Sequence, residues 1–293
     1  MARAWALAVV ATMALTGGCG SLVHATREVA FREPWAGYER IEVHARNGSV
    51  ELVSGGTDGL AIDATLRVGG TTFGEAEANL DALKLHAAAD PDHPRTFRVE
   101  LQYPPHLQSK SPAANLRITL PEPCAAAVNT SNGSIRVENL KGDVVLDTSN
   151  GAIRARKVDG NLRADTSNGS VEVENVTGSL RAKSSNGELI ARGISGPCEL
   201  ITSNGRIEYA AAPAAAGAVE AHTSNGDVQI TLPRSTAAAL DCRTRNGRVH
   251  VDAAEAALGQ VETERGAFRA TLNGGGVPVR VRTSNGSIDV NVR

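Results

Sequence analysis

The chain has 293 residues, with 30 Lys and Arg against 32 Asp and Glu and a net charge of -2. That balance points to neither a nucleic-acid backbone nor an anionic lipid surface as a partner, and no nucleic-acid ligand is expected. Aromatic residues make up only 3% and there are 30 glycines, so the core must be thin and regular, built from Ala, Val, Leu and Ile.

The first eighteen residues carry a basic Arg3, an apolar run from Ala4 to Leu15 and the small residues Thr16-Gly17-Gly18 ahead of Cys19. Residues 1–18 therefore read as a secretory signal peptide. They are a poor transmembrane anchor. The segment resembles a lipobox, with Leu15 one place earlier than usual. The resemblance implies that Cys19 becomes a lipid-bearing (palmitate) N-terminus and that the protein meets the membrane through that anchor. Gly20, where inner-membrane retention would call for Asp, is similar to lipoproteins sorted to the outer membrane. Residues 19–38 read as the linker from the anchor, and no second apolar span of about 20 residues follows.

Residues 39–122 read as a first coil and a cap. The run Ile41-Val43-Ala45-Arg46-Asn47-Gly48-Ser49-Val50-Glu51-Leu52 alternates around an Asn-Gly pair. Phe73, Ala76, Leu80 and Leu83 have helical spacing, and strands are expected at 84–89, 96–103 and 116–120. Pro104-Pro105 to Pro112 reads as a loop between two of them.

Residues 123–293 are a repeat. Thr-Ser precedes Asn132-Gly133, Asn150-Gly151, Asn168-Gly169, Asn204-Gly205, Asn225-Gly226 and Asn285-Gly286, while Ser-Ser precedes Asn186-Gly187 and Thr-Arg precedes Asn246-Gly247. Thr263-Glu264-Arg265-Gly266 reads as a degenerate copy in the remaining gap. The period is 18 residues up to Asn204 and then 21. Asn-Gly favours φ > 0 at two successive residues, so each pair reads as a tight corner between strands. Ile135 and Val137, Val171 and Val173, or Val228 and Ile230 alternate after the corner, as do Val144-Leu146-Thr148 and Leu162-Ala164-Thr166 before it. The residues between them, such as Arg136, Glu138, Asp147, Arg163, Asp165, Arg181 and Lys183, face water. Gly142, Gly160, Gly178 and Gly196 mark a second corner at the same spacing. Two short strands per unit cannot bury their apolar face alone, so the units must stack. The expected fold is all-β: a β-solenoid of about nine coils of 18 to 21 residues, stacked in chain order with Gly286 in the terminal coil, and an irregular N-terminal cap with a short helix.

Three cysteines remain beyond Cys19. Cys198 falls in the inward column of Leu162 and Leu180, and Cys242 in that of Leu146 and Leu200, two coils away by chain order. That is too far for a disulfide, so all three, Cys124 included, are expected as buried free thiols. The corner offers no carboxylate to calcium and the seven His show no ligand spacing, so no metal or other cofactor is expected. Stacking would bring Asp147 beside Asp165, the best acid and base pair on offer for a polysaccharide-cleaving enzyme. Alternating surface charge for solubility explains the same pattern, and no nucleophile or phosphate-binding motif is present.

The leader, the Asn47-Gly48 coil, the irregular segment and the repeated Thr-Ser-Asn-Gly-x-Ile-x-Val units resemble the bacterial putative-adhesin family of unknown function. They are also similar to the head domain of putative autotransporter adhesins. The resemblance spans about Glu39 to Arg293 and implies an exported β-solenoid that is not an enzyme. It implies an adhesion or binding scaffold whose ligand is a surface polysaccharide or protein. The alternatives are a β-helix enzyme acting on polysaccharide and an accessory protein of envelope stress or assembly.

Overall fold

The computed structural model describes residues 6–10, 23–213, 217–253 and 256–293. Cys19 and the leader residues 1–5 and 11–18 lie outside them. The chain divides into two compact units, Met1–Lys141 and Gly142–Arg293.

In the second unit each repeat adds one strand to each of two parallel sheets. Val144–Thr148 pairs in parallel with Leu162–Thr166, that strand with Leu180–Lys183, then Cys198–Ile201 and Val219–His222. The other sheet runs from Ile153–Asp159 through Val171–Val176, Leu189–Ile194 and Ile207–Ala211 to Val228–Leu232. The register keeps Val144, Leu162, Leu180, Cys198 and Val219 in one inward column, all buried. Alternation along each strand is what puts one face on the core and leaves the other wet.

Chain order then breaks. Ile288–Val292 pairs in parallel with both Val228–Leu232 and Val249–Asp252, and Val277–Thr283 with both Val219–His222 and Ala238–Thr244. The last coil of the sequence is thus wedged inside the stack, and the coil of residues 238–252 is the outer one. Gly286, expected in the terminal coil, is internal. Thr263-Glu264-Arg265-Gly266, expected as a degenerate corner, instead turns an antiparallel hairpin, Leu258–Glu264 with Ala267–Leu272, laid against Ala238–Thr244. The reason is local: the segment lacks the Asn, and Gly266 at φ +75° closes a two-residue turn. After that reversal the chain returns beside residues 219–232.

The first unit uses the same device. Arg40–His44 lies between Thr96–Gln102 and Ala125–Thr130, and Val50–Ser54 between Ala113–Leu120 and Ile135–Lys141, all parallel. Residues 23–33, expected as linker, form an eleven-residue strand, Val23–Glu33, fully paired antiparallel with Leu60–Gly70. Alternation of Ala25, Val29 and Phe31 carried that signal, with Arg27 interrupting it. Ala6–Val10 pairs with the same strand. The helix forms at Phe73–Asp81, where Thr72 accepts from the Glu75 N–H and the Glu75 carboxylate accepts from the Thr71 N–H. It buries Ala76 and Leu80 over the paired strands. Pro105–Lys110 is a short 3-10 turn in the expected loop.

Candidate functional site

The Thr-Ser-Asn-Gly corner recurs in both units, and each of its residues has a separate task. Thr166 points inward, accepts from the Gly169 N–H at 3.2 Å and donates to the Gly151 carbonyl of the preceding coil at 3.0 Å. Ser184, Thr202, Thr223, Thr244 and Thr283 donate to the stacked Gly carbonyl in the same way, at 2.8 to 3.0 Å. The next residue leaves its side chain outside but uses its carbonyl, since the Ser167 oxygen accepts from the N–H groups of both Ser185 and Asn186.

The Asn side chains form ladders. Asn132 donates to Asn47 in the first unit. In the second, Asn168 donates to Asn150, Asn186 to Asn168, Asn204 to Asn186, Asn225 to Asn204, Asn285 to Asn225 and Asn246 to Asn285, at 2.7 to 2.8 Å. Each internal Asn therefore spends its amide oxygen and one N–H on the neighbouring coils.

The glycines are required for closeness, not for φ > 0 as expected. Among these corner glycines only Gly48 is left-handed, at φ +117°, and none of the corner Asn is. A Cβ on Gly169 would lie 1.8 Å from the Gly151 carbonyl oxygen, on Gly187 1.7 Å from that of Gly169, and on Gly205 1.9 Å from that of Gly187. Gly226 (2.1 Å from the Gly205 oxygen), Gly286 (2.0 Å from that of Gly226), Gly247 (1.9 Å from that of Gly286) and Gly133 (1.6 Å from that of Gly48) obey the same rule. Backbones stack where a methyl group cannot fit.

A left-handed column does exist, on the strand after the corner. In the second unit Lys157, Asn175 and Gly193 have φ of 54°, 60° and 70° and recur every 18 residues, and Asn139 of the first unit has φ 59°. Each is a left-handed kink that shifts the inward position, so that Val158, Val176 and Ile194 are buried where strict alternation would bury the preceding residue. The recurrence of Asn, Asn and Gly at that spacing was the available signal.

The outer faces carry charge in rows. Arg154 and Arg156 pair with Glu172 and Glu174 of the next strand, each at 3.2 Å, and Arg192 with Glu208 at 2.7 Å. Asp147 does stand opposite Asp165, on neighbouring strands of one outer face. Asp165 is held by Arg163 at 2.6 Å and has Lys183 on its other side. Burial first, and then the Asp165 charge, push the Asp147 carboxyl above its ordinary value, while Arg163 opposes them. Cys124, Cys198 and Cys242 are free and buried. Because the last coil is wedged in, Cys242 and Cys198 are three strands apart, not two. Burial pushes the thiols of Cys124 and Cys242 up to about 12 and that of Cys198 up as well, so all three are poor nucleophiles.

A family model described as Toastrack DUF4097 matches residues 38–291. No curated protein sequence matches the chain. Among solved structures it is similar to a putative cell adhesion protein from Clostridium sporogenes, at 12% identity over 92% of this chain and 100% of that one, with a TM-score of 0.27. It is also similar to putative adhesins from Bacteroides fragilis (11%, 92% and 97%, TM-score 0.37) and Parabacteroides distasonis (11%, 90% and 96%, TM-score 0.26). Scores of this size carry no functional argument, and the family match stands without them.

Proposed function

The chain belongs to the Toastrack DUF4097 family, and from that premise we propose that it is a non-catalytic binding scaffold of the cell envelope. In this reading it is exported by residues 1–18 and held, in the outer membrane, by lipid on Cys19. The observation that carries the proposal is the fate of the repeated polar groups. The Thr hydroxyl, the Asn amide and the Gly backbone of each corner are consumed in joining coils. What remains for a ligand is the pair of outer faces, where side chains recur at the strand spacing of roughly 4.8 Å. A surface polysaccharide or protein with its own repeat suits such a lattice.

The arrangement of Asp147 and Asp165 disfavours the alternative of a polysaccharide-cleaving enzyme. An acid and a base must flank the scissile bond, whereas these two project from adjacent strands of one face. The test is fractionation with ligand capture. The full-length protein should partition with the envelope, lose that partition and its acyl label on Cys19→Ser, and retain an envelope polymer on pull-down. Release of reducing ends from that polymer, abolished by Asp165→Asn, would overturn the non-catalytic reading. Unchanged partition and labelling of Cys19→Ser would overturn the anchor.

A further inference from the structure

The second unit has one outer face on which positive charge gathers beside a groove. The groove, of about 380 Å³, crosses four strands over Pro197, Ala218 and Pro278 and is lined by Arg181, Glu199, Glu220 and Arg280. Arg181 is paired with Glu199 at 2.8 Å. Arg280 is exposed and has no side-chain partner among the described residues. On the strands that follow, Arg243, Arg269 and Arg282 converge on Asp241 at 3.0, 3.6 and 2.7 Å. One carboxylate cannot neutralise three guanidinium groups, and only Arg269 has a second acid, Glu262, at 3.3 Å. Arg282 is also pinned by the carbonyl oxygens of Asp241 and Val281, so its position is set before any ligand arrives.

The sequence bias agrees. Residues 234–293 hold nine Arg and no Lys against six acids, in a chain whose net charge is -2. Stacking platforms of the sort that hold neutral sugars are missing here: the only exposed large apolar side chains among the described residues are Leu258 and Val261. Guanidinium charge is the recognition chemistry this face offers most, and Arg suits planar carboxylate and phosphate or sulfate groups.

Resting on the scaffold reading above, we propose that the groove at Arg280, continued by Arg282 and Arg243, binds an acidic polysaccharide. Its carboxylate or sulfate groups would meet the arginines while the sugar backbone lies across the strands over Pro197 and Pro278. Asp241 and Glu220 make the face selective, since they repel a polymer whose charges are too closely spaced.

Full-length protein would be titrated with polygalacturonate, dextran sulfate, neutral dextran and single-stranded DNA. Expected are binding of polygalacturonate or dextran sulfate that weakens with salt, little binding of neutral dextran, and weaker binding of DNA. Arg280→Ala, which removes no side-chain hydrogen bond or ion pair among the described residues, should weaken binding of the acidic polysaccharide about tenfold, the scale of one charge-assisted contact. Arg154→Ala, on the opposite sheet, should leave it unchanged. DNA bound as tightly as the polysaccharide, equal affinity of Arg280→Ala and the parent, or no polyanion binding would each overturn the proposal. If Arg280→Ala still captured the native envelope polymer as the parent does, this groove would be refuted while the scaffold reading stood. Failure of the parent to capture any polymer would count against both.

Discussion

At Gly169 the stacked Gly151 carbonyl leaves 1.8 Å for a side chain, and no rotamer can escape that because Cβ has none. Gly169→Ala must push two backbones apart and should cost about 2 kcal/mol or more, as overpacking of a rigid site does. Thr166→Val should cost about 1 to 2 kcal/mol, because it strands the Gly169 N–H and the Gly151 carbonyl. Thr166→Ser should be nearly neutral, as Ser184 already does that work. Outward Asp165→Asn should change stability by about 0.5 kcal/mol or less. Urea melts of the four variants test the ranking, and a stable Gly169→Ala would refute the close-approach account. Asp147 allows a pH test. Its folded pKa is raised, so the fold is favoured when this carboxyl is protonated and loses that advantage as pH rises through the raised value. Asp147→Asn should therefore be more stable than the parent at pH 7, with the difference vanishing below the unfolded pKa of about 3.9. The identity of the corner residues was legible in the sequence, but the reason for the glycines was not. Asn-Gly serves a φ > 0 turn and a backbone contact equally well, and only stacking distances tell them apart.

Periodicity showed the elements themselves, because a thin aliphatic core leaves little besides alternation to read, and the inward columns of Leu162, Leu180 and Cys198 follow from spacing alone. The left-handed kink was hidden for the opposite reason: it breaks alternation once per coil, at a residue that varies in type. That variation gives a prediction. Lys157 holds φ 54° where its column neighbour Asn175 holds φ 60°, and a long side chain is disfavoured in this region whereas Asn tolerates it. Lys157→Asn should raise stability by about 0.5 to 1 kcal/mol. A loss of stability in thermal melts would mean that the Lys157 side chain contributes more than its backbone strain costs. The Val23–Glu33 strand was missed because Arg27 sits on its apolar side and breaks the pattern read from a single strand. It is held by eleven cross-strand pairs with Leu60–Gly70, a long-range fact that local sequence does not carry.

The stacking order belongs to the whole chain, and it is where sequence reading had least purchase. A repeat reports that coils are alike, not which coil lies on which, so chain order is the natural expectation and a return through a gap leaves no trace in the period. The wedged coil separates position in the sequence from position in the stack. Ile288–Val292 has a parallel partner on each side, and Ile288 and Val290 are fully buried. Val249–Asp252, well inside the sequence, pairs in its sheet with Ile288–Val292 and leaves Val249 and Val251 half-buried. Strands at the outside of a stack ordinarily exchange their amide hydrogens before those inside it. Ile288–Val292 should therefore exchange among the slowest of the second unit, and Val249–Asp252 distinctly faster. Because each coil rests on its neighbours, Gly286→Ala should destabilise about as much as Gly169→Ala, since its Cβ would lie 2.0 Å from the Gly226 carbonyl oxygen inside the stack. Native-state hydrogen exchange read by peptide mass would check both. Fast exchange across residues 288–292, with Gly286→Ala nearly as stable as the parent, would show that the coils stack in chain order and that the last one lies free at the end.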